Sequence, residues 1–144
     1  MKILVKKVRS GACLPRYMTS QAAGMDLFAC PEKPLTLNPG EWRAIPTGIT
    51  VAIPPGWEIQ IRPRSGLALK YGVTLLNSPG TVDADYRGEI HVILINLGKA
   101  PFTVEPDTRI AQATLTPAVQ GNLEEVQDLP PSSRGEGGFG HTGI

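Results

Sequence analysis

Residues 88–98 of the chain, GEIHVILINLG, carry the clearest signal of the kind of fold. The run VILIN at positions 92–96 is apolar on both faces of an extended chain. A strand of this composition is typical of a position buried between two sheets or covered by another subunit. The stretch therefore predicts a central β-strand.

The segments on either side also have the residue pattern of short β-strands. Prolines and glycines separate short runs rich in β-branched residues, among them GITVAI at 48–53, WEIQI at 57–61 and RIAQATLTPAV at 109–119. Apolar and polar residues alternate in WEIQI, which is the period of a strand. Only SGLALKYG at 65–72 could form a short helix. We therefore expect an all-β sandwich or barrel.

Length and charge limit the remaining possibilities. A chain of 144 residues predicts one domain that buries roughly 70% of its unfolded surface. The net charge of +1 favours neither a nucleic-acid nor a membrane partner. The opening residues, MKILVKKVRS, match neither a signal peptide nor a membrane span, so we expect a cytoplasmic protein. Cys13 and Cys30 favour buried free thiols over a disulfide.

Two segments carry candidate chemistry. In IRPRSGLALKYG, the residues Arg64, Ser65 and Gly66 could cradle an anion, although this segment taken alone favours a surface turn with a capping serine. NSPGTVDADYRGEI, at 77–90, predicts a hairpin with carboxylates, Tyr86 and an arginine at its tip. Asn77, Asp83 and Tyr86 together could bind a flat polar ring, activate water and stack on a sugar. A solvated turn is the alternative.

A buried acid is predicted in a third segment. AAGMDLFA places Asp26 among apolar residues, where a carboxylate needs a partner, and Arg64 is a plausible one. The strand pattern DTRIAQATL contains Arg109 and Gln112. Gln112 could equally be an outward-facing polar residue.

Five segments in this order resemble the ordered motifs of the trimeric deoxyuridine triphosphatases (dUTPases): AGMDL at 23–27, RSGLA at 64–68, GTVDADYRGE at 80–89, RIAQ at 109–112 and RGEGGFGHTG at 134–143. The resemblance implies a β jelly roll that forms homotrimers, with sites at subunit interfaces that hydrolyse dUTP to dUMP and pyrophosphate with Mg²⁺. The composition changes at Leu129, so the sequence itself predicts a single β domain over residues 1–128 and a flexible glycine-rich arm over residues 129–144. The resemblance implies that this arm closes over the active site of another subunit.

The resemblance also implies residue roles. Asp83, Gln112 and Ser65 would be catalytic, with Asp83 activating the water that attacks the α-phosphorus, and Asp26 and Arg109 would give structural support. Tyr86 would stack on the deoxyribose, and the main chain of the hairpin would contact the uracil edge. The full set implied to bind substrate is Arg64, Ser65, Gly66, Asn77, Gly80, Thr81, Val82, Asp83, Tyr86, His91, Arg134, Phe139, Gly140, His141 and Thr142.

The resemblance also implies how the arm and a metal ion would contact the substrate. Its glycines would let the arm wrap a phosphate chain, while Phe139 stacks on the base. His141 stands where the family usually has serine. No cluster of histidine and cysteine has metal-ligand spacing, so Mg²⁺ would be held mainly by substrate phosphates and water.

Two other functions compete with dUTP hydrolysis. The related dCTP deaminases carry a catalytic glutamate on the strand after the third motif, where this chain has the apolar Ile93. A nucleotide-binding regulator without activity is the second alternative, and the intact Asp83 argues against it.

Overall fold

The computed structural model describes residues 1–138, in which twelve β-strands and one short α-helix follow one another along the chain. Phe139, Gly140, His141 and Thr142, to which the resemblance gives roles in the arm, lie outside the described residues. The elements are β1 (Leu4–Lys7), β2 (Arg16–Tyr17), β3 (Met25–Phe28), β4 (Leu35–Leu37), β5 (Trp42–Pro46), β6 (Ile49–Ala52), β7 (Trp57–Arg62), α1 (Ser65–Tyr71), β8 (Val73–Leu75), β9 (Gly80–Val82), β10 (His91–Asn96), β11 (Phe102–Val104) and β12 (Arg109–Pro117).

The strands form four antiparallel sheets. The largest has five strands in the order β2-β3-β12-β7-β9, and a second has three in the order β5-β10-β8. Two strand pairs, β1-β6 and β11-β4, complete the architecture. The predicted all-β class and the single short helix are both confirmed.

Strand β10 supplies much of the core, but its two faces differ. Val92 and Leu94 are fully buried, whereas Ile93 and Ile95 are only half-buried. The third buried residue is Asn96, whose side-chain amide donates to the carbonyls of Leu37 and Ala100, both at 2.9 Å. These bonds satisfy a buried polar group that would otherwise destabilise the fold.

The predicted hairpin around residues 83–86 is wrong. Strand β9 pairs with β7, and β10 pairs with β5 and β8, so the two strands on either side of the turn belong to different sheets. The segment between them is a corner of the fold. Asp and Gly favour a tight reversal, and the sequence signal is the same whether the strands then pair or diverge.

Regular structure ends at Pro117 within the described residues. Residues 118–138 contain neither helix nor strand, and most of their side chains are exposed. The predicted arm at 129–144 begins inside this segment, and its closure over another subunit stays a prediction. No helix in residues 1–138 is long and apolar enough to cross a membrane. Cys13 and Cys30 are both free thiols, and only Cys30 is buried.

Two glycines let the end of α1 lie directly against the chain that follows β10. Gly72 caps the helix with φ of +68°, and its carbonyl accepts a hydrogen bond of 2.9 Å from the Leu97 amide. A Cβ atom on Gly98 would collide with the carbonyl oxygen of Tyr71. Backbone therefore packs on backbone at this point, and no side chain fits between them.

We predict that Gly98→Ala destabilises the protein by about 1–3 kcal/mol, because a methyl group there must displace backbone in a packed region. Denaturant unfolding monitored by circular dichroism measures the change. Gly121→Ala is the matched control, since nothing lies within 4 Å of its added Cβ atom. Equal stability of the two variants would show that the backbone at Gly98 can move to admit a methyl group at little cost.

Candidate active site

Asp26 is the centre of a charged cluster inside the five-stranded sheet. Asp26 is 2% exposed, and its carboxylate lies 3.2 Å from the Arg109 guanidinium and 3.5 Å from the Arg64 guanidinium. Gln112 donates its amide N–H to the other carboxylate oxygen at 3.3 Å. The predicted partnership of Asp26 with Arg64 is confirmed, and Gln112 faces this cluster from an exposed position on β12.

Arg64 connects this cluster to the start of α1. One of its guanidinium nitrogens donates to the Arg109 carbonyl at 2.9 Å, and another faces Asp26. Ser65 and Gly66 follow in the first turn of the helix and are exposed. A Cβ atom on Gly66 would meet nothing within 4 Å, so the space beside this backbone is open to a molecule from outside. Ser65 does not cap the helix, because its N-cap is Arg64.

A small cleft of about 50 Å³ lies between β9 and β10. Strand β9 is the edge of its sheet, and β8 pairs with β10 only along Leu94–Asn96. Main-chain groups on the facing sides of the two strands are therefore left without a neighbouring strand, except that the Ile93 carbonyl accepts a hydrogen bond from the Leu76 amide at 2.9 Å. The cleft is lined by Ile61, Leu75, Asn77, Gly80, Thr81, Val82, His91, Val92 and Ile93.

Five of the predicted substrate-binding residues thus share one cleft, namely Asn77, Gly80, Thr81, Val82 and His91. Gly80 has a local reason to be glycine, because an added Cβ atom would lie 3.1 Å from the Asn77 amide nitrogen. Asn77 therefore lies directly against the β9 backbone. Free donors and acceptors at the edges of two strands, with an amide side chain beside them, can pair with a planar polar ring.

The corner after β9 carries Asp83 and Tyr86. Asp83 is exposed, and no described residue forms an ion pair or hydrogen bond with its carboxylate. The Tyr86 ring lies over Gly88, where an added Cβ atom would collide with the phenol. Arg87 donates to the carbonyls of Ala84 and Tyr86 at 2.7 and 2.8 Å and so holds the loop closed.

Glu89 is a residue of this corner to which the sequence interpretation assigned no role. Its carboxylate accepts hydrogen bonds from Arg9 Nε at 2.7 Å and from the Gly48 amide at 2.9 Å. Burial by itself would raise the pKa of Glu89, but the hydrogen bonds from Arg9 and Gly48 outweigh it and hold that pKa below its usual range. The triplet RGE at 87–89 draws attention to Glu89 in the sequence. Its role could not be predicted, because its partners Arg9 and Gly48 lie far away along the chain.

The predicted site residues fall into two groups. One surrounds Asp26 and includes Arg64, Gln112 and the first turn of α1, and the other comprises the cleft and the corner. No hydrogen bond or ion pair joins the two groups within residues 1–138. Arg134 belongs to neither, since it donates to the carbonyl of Gly137 at 2.6 Å in a turn of its own segment.

A larger groove of about 660 Å³ lies on the other side of the corner, and Asp83, Asp85 and Glu58 line part of it. Within residues 1–138, no three side chains of His, Cys, Asp or Glu are placed together to hold a metal ion. Any cation at this site would therefore need ligands from outside the described residues.

The chain is similar in sequence to known proteins over almost its whole length. The family model for dUTPase matches residues 11–143. The deoxyuridine 5'-triphosphate nucleotidohydrolase of Syntrophotalea carbinolica is 55% identical over 142 residues, covering 99% of this chain and 97% of the relative. The protein of the same name from Chlamydia pneumoniae is 58% identical over 135 residues, covering 93% of each chain.

The fold agrees with a solved structure as well. The dUTPase of Staphylococcus bacteriophage 80alpha, solved with dUPNHPP, superposes with a TM-score of 0.87 at 26% identity and covers 99% of both chains. The predicted jelly-roll-like β architecture is thereby confirmed. Agreement of the five motifs, the fold and relatives more than half identical leads to one conclusion: the chain belongs to the dUTPase family.

Proposed function

We propose that the protein hydrolyses dUTP to dUMP and pyrophosphate with Mg²⁺, by attack of an activated water on the α-phosphorus. The observation that carries this proposal is the cleft between β9 and β10, where parts of both strands lack a neighbouring strand. Asp83 follows Val82 of this cleft directly in the chain, and its carboxylate has no partner among the described residues. The relatives' names and the dUPNHPP complex of the phage enzyme support the choice of substrate. The reaction would lower dUTP and supply dUMP for dTTP synthesis.

The cleft suits uracil because main-chain groups would read the base. The edge of uracil alternates carbonyl acceptors with an N–H donor, and the main chain around Thr81, Val82 and His91 offers both types of partner. The Asn77 amide beside Gly80 would fix the ring from the side. A cleft this narrow leaves little room for a 5-methyl group, which favours uracil over thymine.

Asp83 would act as the base for the attacking water. Its carboxylate is exposed and has no partner among the described residues, so both oxygens are free to accept hydrogen bonds from water. Gln112 would help to orient this water. Tyr86, in the same corner, would stack on the deoxyribose and exclude a 2′-hydroxyl group.

Arg64, Ser65 and Gly66 would bind the phosphates. The open space beside Gly66 admits a phosphate to the backbone, and Arg64 brings positive charge to the same place. Asp26 and Arg109 would hold Arg64 in position. Mg²⁺, bound through the triphosphate and water, would neutralise charge that develops on the leaving pyrophosphate.

The test of the proposal is to measure pyrophosphate release from dUTP, dCTP, dTTP and UTP. Release from dUTP alone supports the proposal. Ammonia release from dCTP would indicate a deaminase, which is disfavoured because the apolar Ile93 lines the cleft where an acid would be needed. Nucleotide binding with no product would indicate an inactive regulator.

We predict that Asp83→Asn lowers kcat by about 10²–10⁴ while leaving dUTP binding and the melting temperature nearly unchanged, because the amide cannot accept the proton of water. Steady-state kinetics and calorimetric binding measure both effects. Asp85→Asn is the control, since Asp85 is an exposed carboxylate two residues away in the same corner. Comparable losses in the two variants would remove Asp83 from the role of base.

We predict that the protein is a homotrimer, with the two groups of site residues completed at the subunit interfaces. The half-buried face of β10 and exposed apolar side chains such as Trp42, Leu69 and Leu97 support this assembly. Sedimentation equilibrium should give three times the chain mass at micromolar concentration. A monomeric mass at full activity would contradict the trimer.

We predict that deletion from Arg134 onward preserves the assembly and the melting temperature but strongly reduces hydrolysis. Residues 134–138, the described part of the deleted segment, form neither helix nor strand, and we expect their loss to leave the core intact. Phe139→Ala should give a milder defect, since a base–aromatic stack contributes about 1–3 kcal/mol. Phe139→Trp should keep activity and report closure by fluorescence. Full turnover by the truncated protein would show that the arm is dispensable.

A further inference from the structure

The dUTPase reaction as proposed uses Tyr86 and His91, and between them in the chain lies Glu89, which has no part in it. We propose that Glu89, paired with Arg9, is a positioning residue that sets the place of Tyr86 and His91 and thereby the choice between deoxyribose and ribose. The inference rests on the proposed function, because the selectivity it explains is that of the nucleotide site.

The Glu89 side chain is anchored to the body of the protein. It is 16% exposed, and a single carboxylate oxygen accepts bonds from Arg9 at 2.7 Å and from the Gly48 amide at 2.9 Å. Arg9 follows β1, and Gly48 lies in the turn between β5 and β6. One carboxylate thus ties the corner to both chain segments at one end of the β1-β6 pair.

The turn that receives this carboxylate is itself held firmly. The Gly48 carbonyl accepts a bond from the Val8 amide at 2.8 Å. Thr47, which is 1% exposed, donates its hydroxyl to the Ile90 carbonyl at 2.6 Å. The Ile90 amide in turn donates to the Ile49 carbonyl at 2.9 Å. Residues 89 and 90 are therefore fixed to the frame through both side chain and main chain.

The main-chain carbonyl of Glu89 faces the site. It accepts the Tyr86 hydroxyl at 3.1 Å, and the His91 Nδ1 atom lies at the same distance from it. The second carboxylate oxygen of Glu89 lies 3.8 Å from His91 Nε2. Tyr86, the proposed sugar contact, and His91, a residue of the base cleft, thus share one partner, Glu89, whose carboxylate is held by Arg9 and the Gly48 amide.

Selectivity is the property that such an arrangement controls. Exclusion of a 2′-hydroxyl group requires the Tyr86 ring to be held within a fraction of an ångström, because a loosely held ring would move aside for the larger sugar. Asp83 follows β9, and its carboxylate forms no hydrogen bond or ion pair with Glu89 or Tyr86 within residues 1–138; only its main-chain carbonyl accepts a bond from the Tyr86 amide, at 3.2 Å. Loosening Glu89 should therefore affect substrate choice and KM more than kcat for dUTP.

The experiment compares kcat/KM for dUTP and UTP in the intact protein and in Glu89→Gln, Arg9→Met and the double variant. We expect each single variant to lower the dUTP/UTP ratio by about 10- to 100-fold, the penalty of misplacing a contact group. The double variant should be no worse than the worse single one, because both changes break the same pair. Tyr86→Phe should show the same direction of change, since it removes the hydroxyl that ends on Glu89.

Glu105→Gln is the matched control, since Glu105 is an exposed carboxylate outside this network, and its ratio should equal that of the unmodified protein. Arg9→Met keeps the test valid should Glu89→Gln fail to fold. A lower melting temperature with an unchanged ratio in Arg9→Met would overturn the positioning role and leave a purely structural one. Unmodified protein that does not hydrolyse dUTP would overturn the proposed function itself.

Discussion

The buried carboxylate of Asp26 imposes the constraint on which the site depends. An ionised acid at 2% exposure is stable only when it is paired, and here two guanidinium groups and one amide surround it. Arg109 and Gln112 come from β12, which pairs with β3 in a register that places Gln112 opposite Asp26. Arg64 comes from the start of α1. The requirement to pair one acid thus aligns two strands and brings the helix to them.

Two acids of the same chain have opposite environments, and this difference separates their roles. Asp26 is buried beside two guanidinium groups and the Gln112 amide, which lie within 3.5 Å of its carboxylate. Asp83 is exposed at a corner and has no partner in the described part of the chain. A carboxylate of the second kind is available to water, whereas one of the first kind serves to hold cationic side chains.

The cleft beside the corner exists because the strands around it differ in length and belong to different sheets. Because β8 covers only part of β10, and β9 ends its sheet, backbone edges remain open on both sides of the cleft. Open edges are ordinarily a hazard, since they invite pairing with other chains. Here the cleft holds only about 50 Å³, and the two strands belong to different sheets, so there is little room for another strand. Glu89 and Arg87 hold the corner in shape from the two ends.

Local sequence signals predicted the all-β class, the short helix at 65–71 and the residue types of the site, because period, turn chemistry and motif order are properties of neighbouring residues. The need of Asp26 for Arg64 was also predictable, since a buried acid requires a cation. Which strands pair with one another could not be predicted from these signals. The turn at 83–86 favours a reversal whether or not the strands then pair, and only the tertiary structure placed β9 beside β7 and β10 beside β5. Glu89 was missed for the same reason: its partner Arg9 is eighty residues away, and a contact at that separation forms only when the chain is folded.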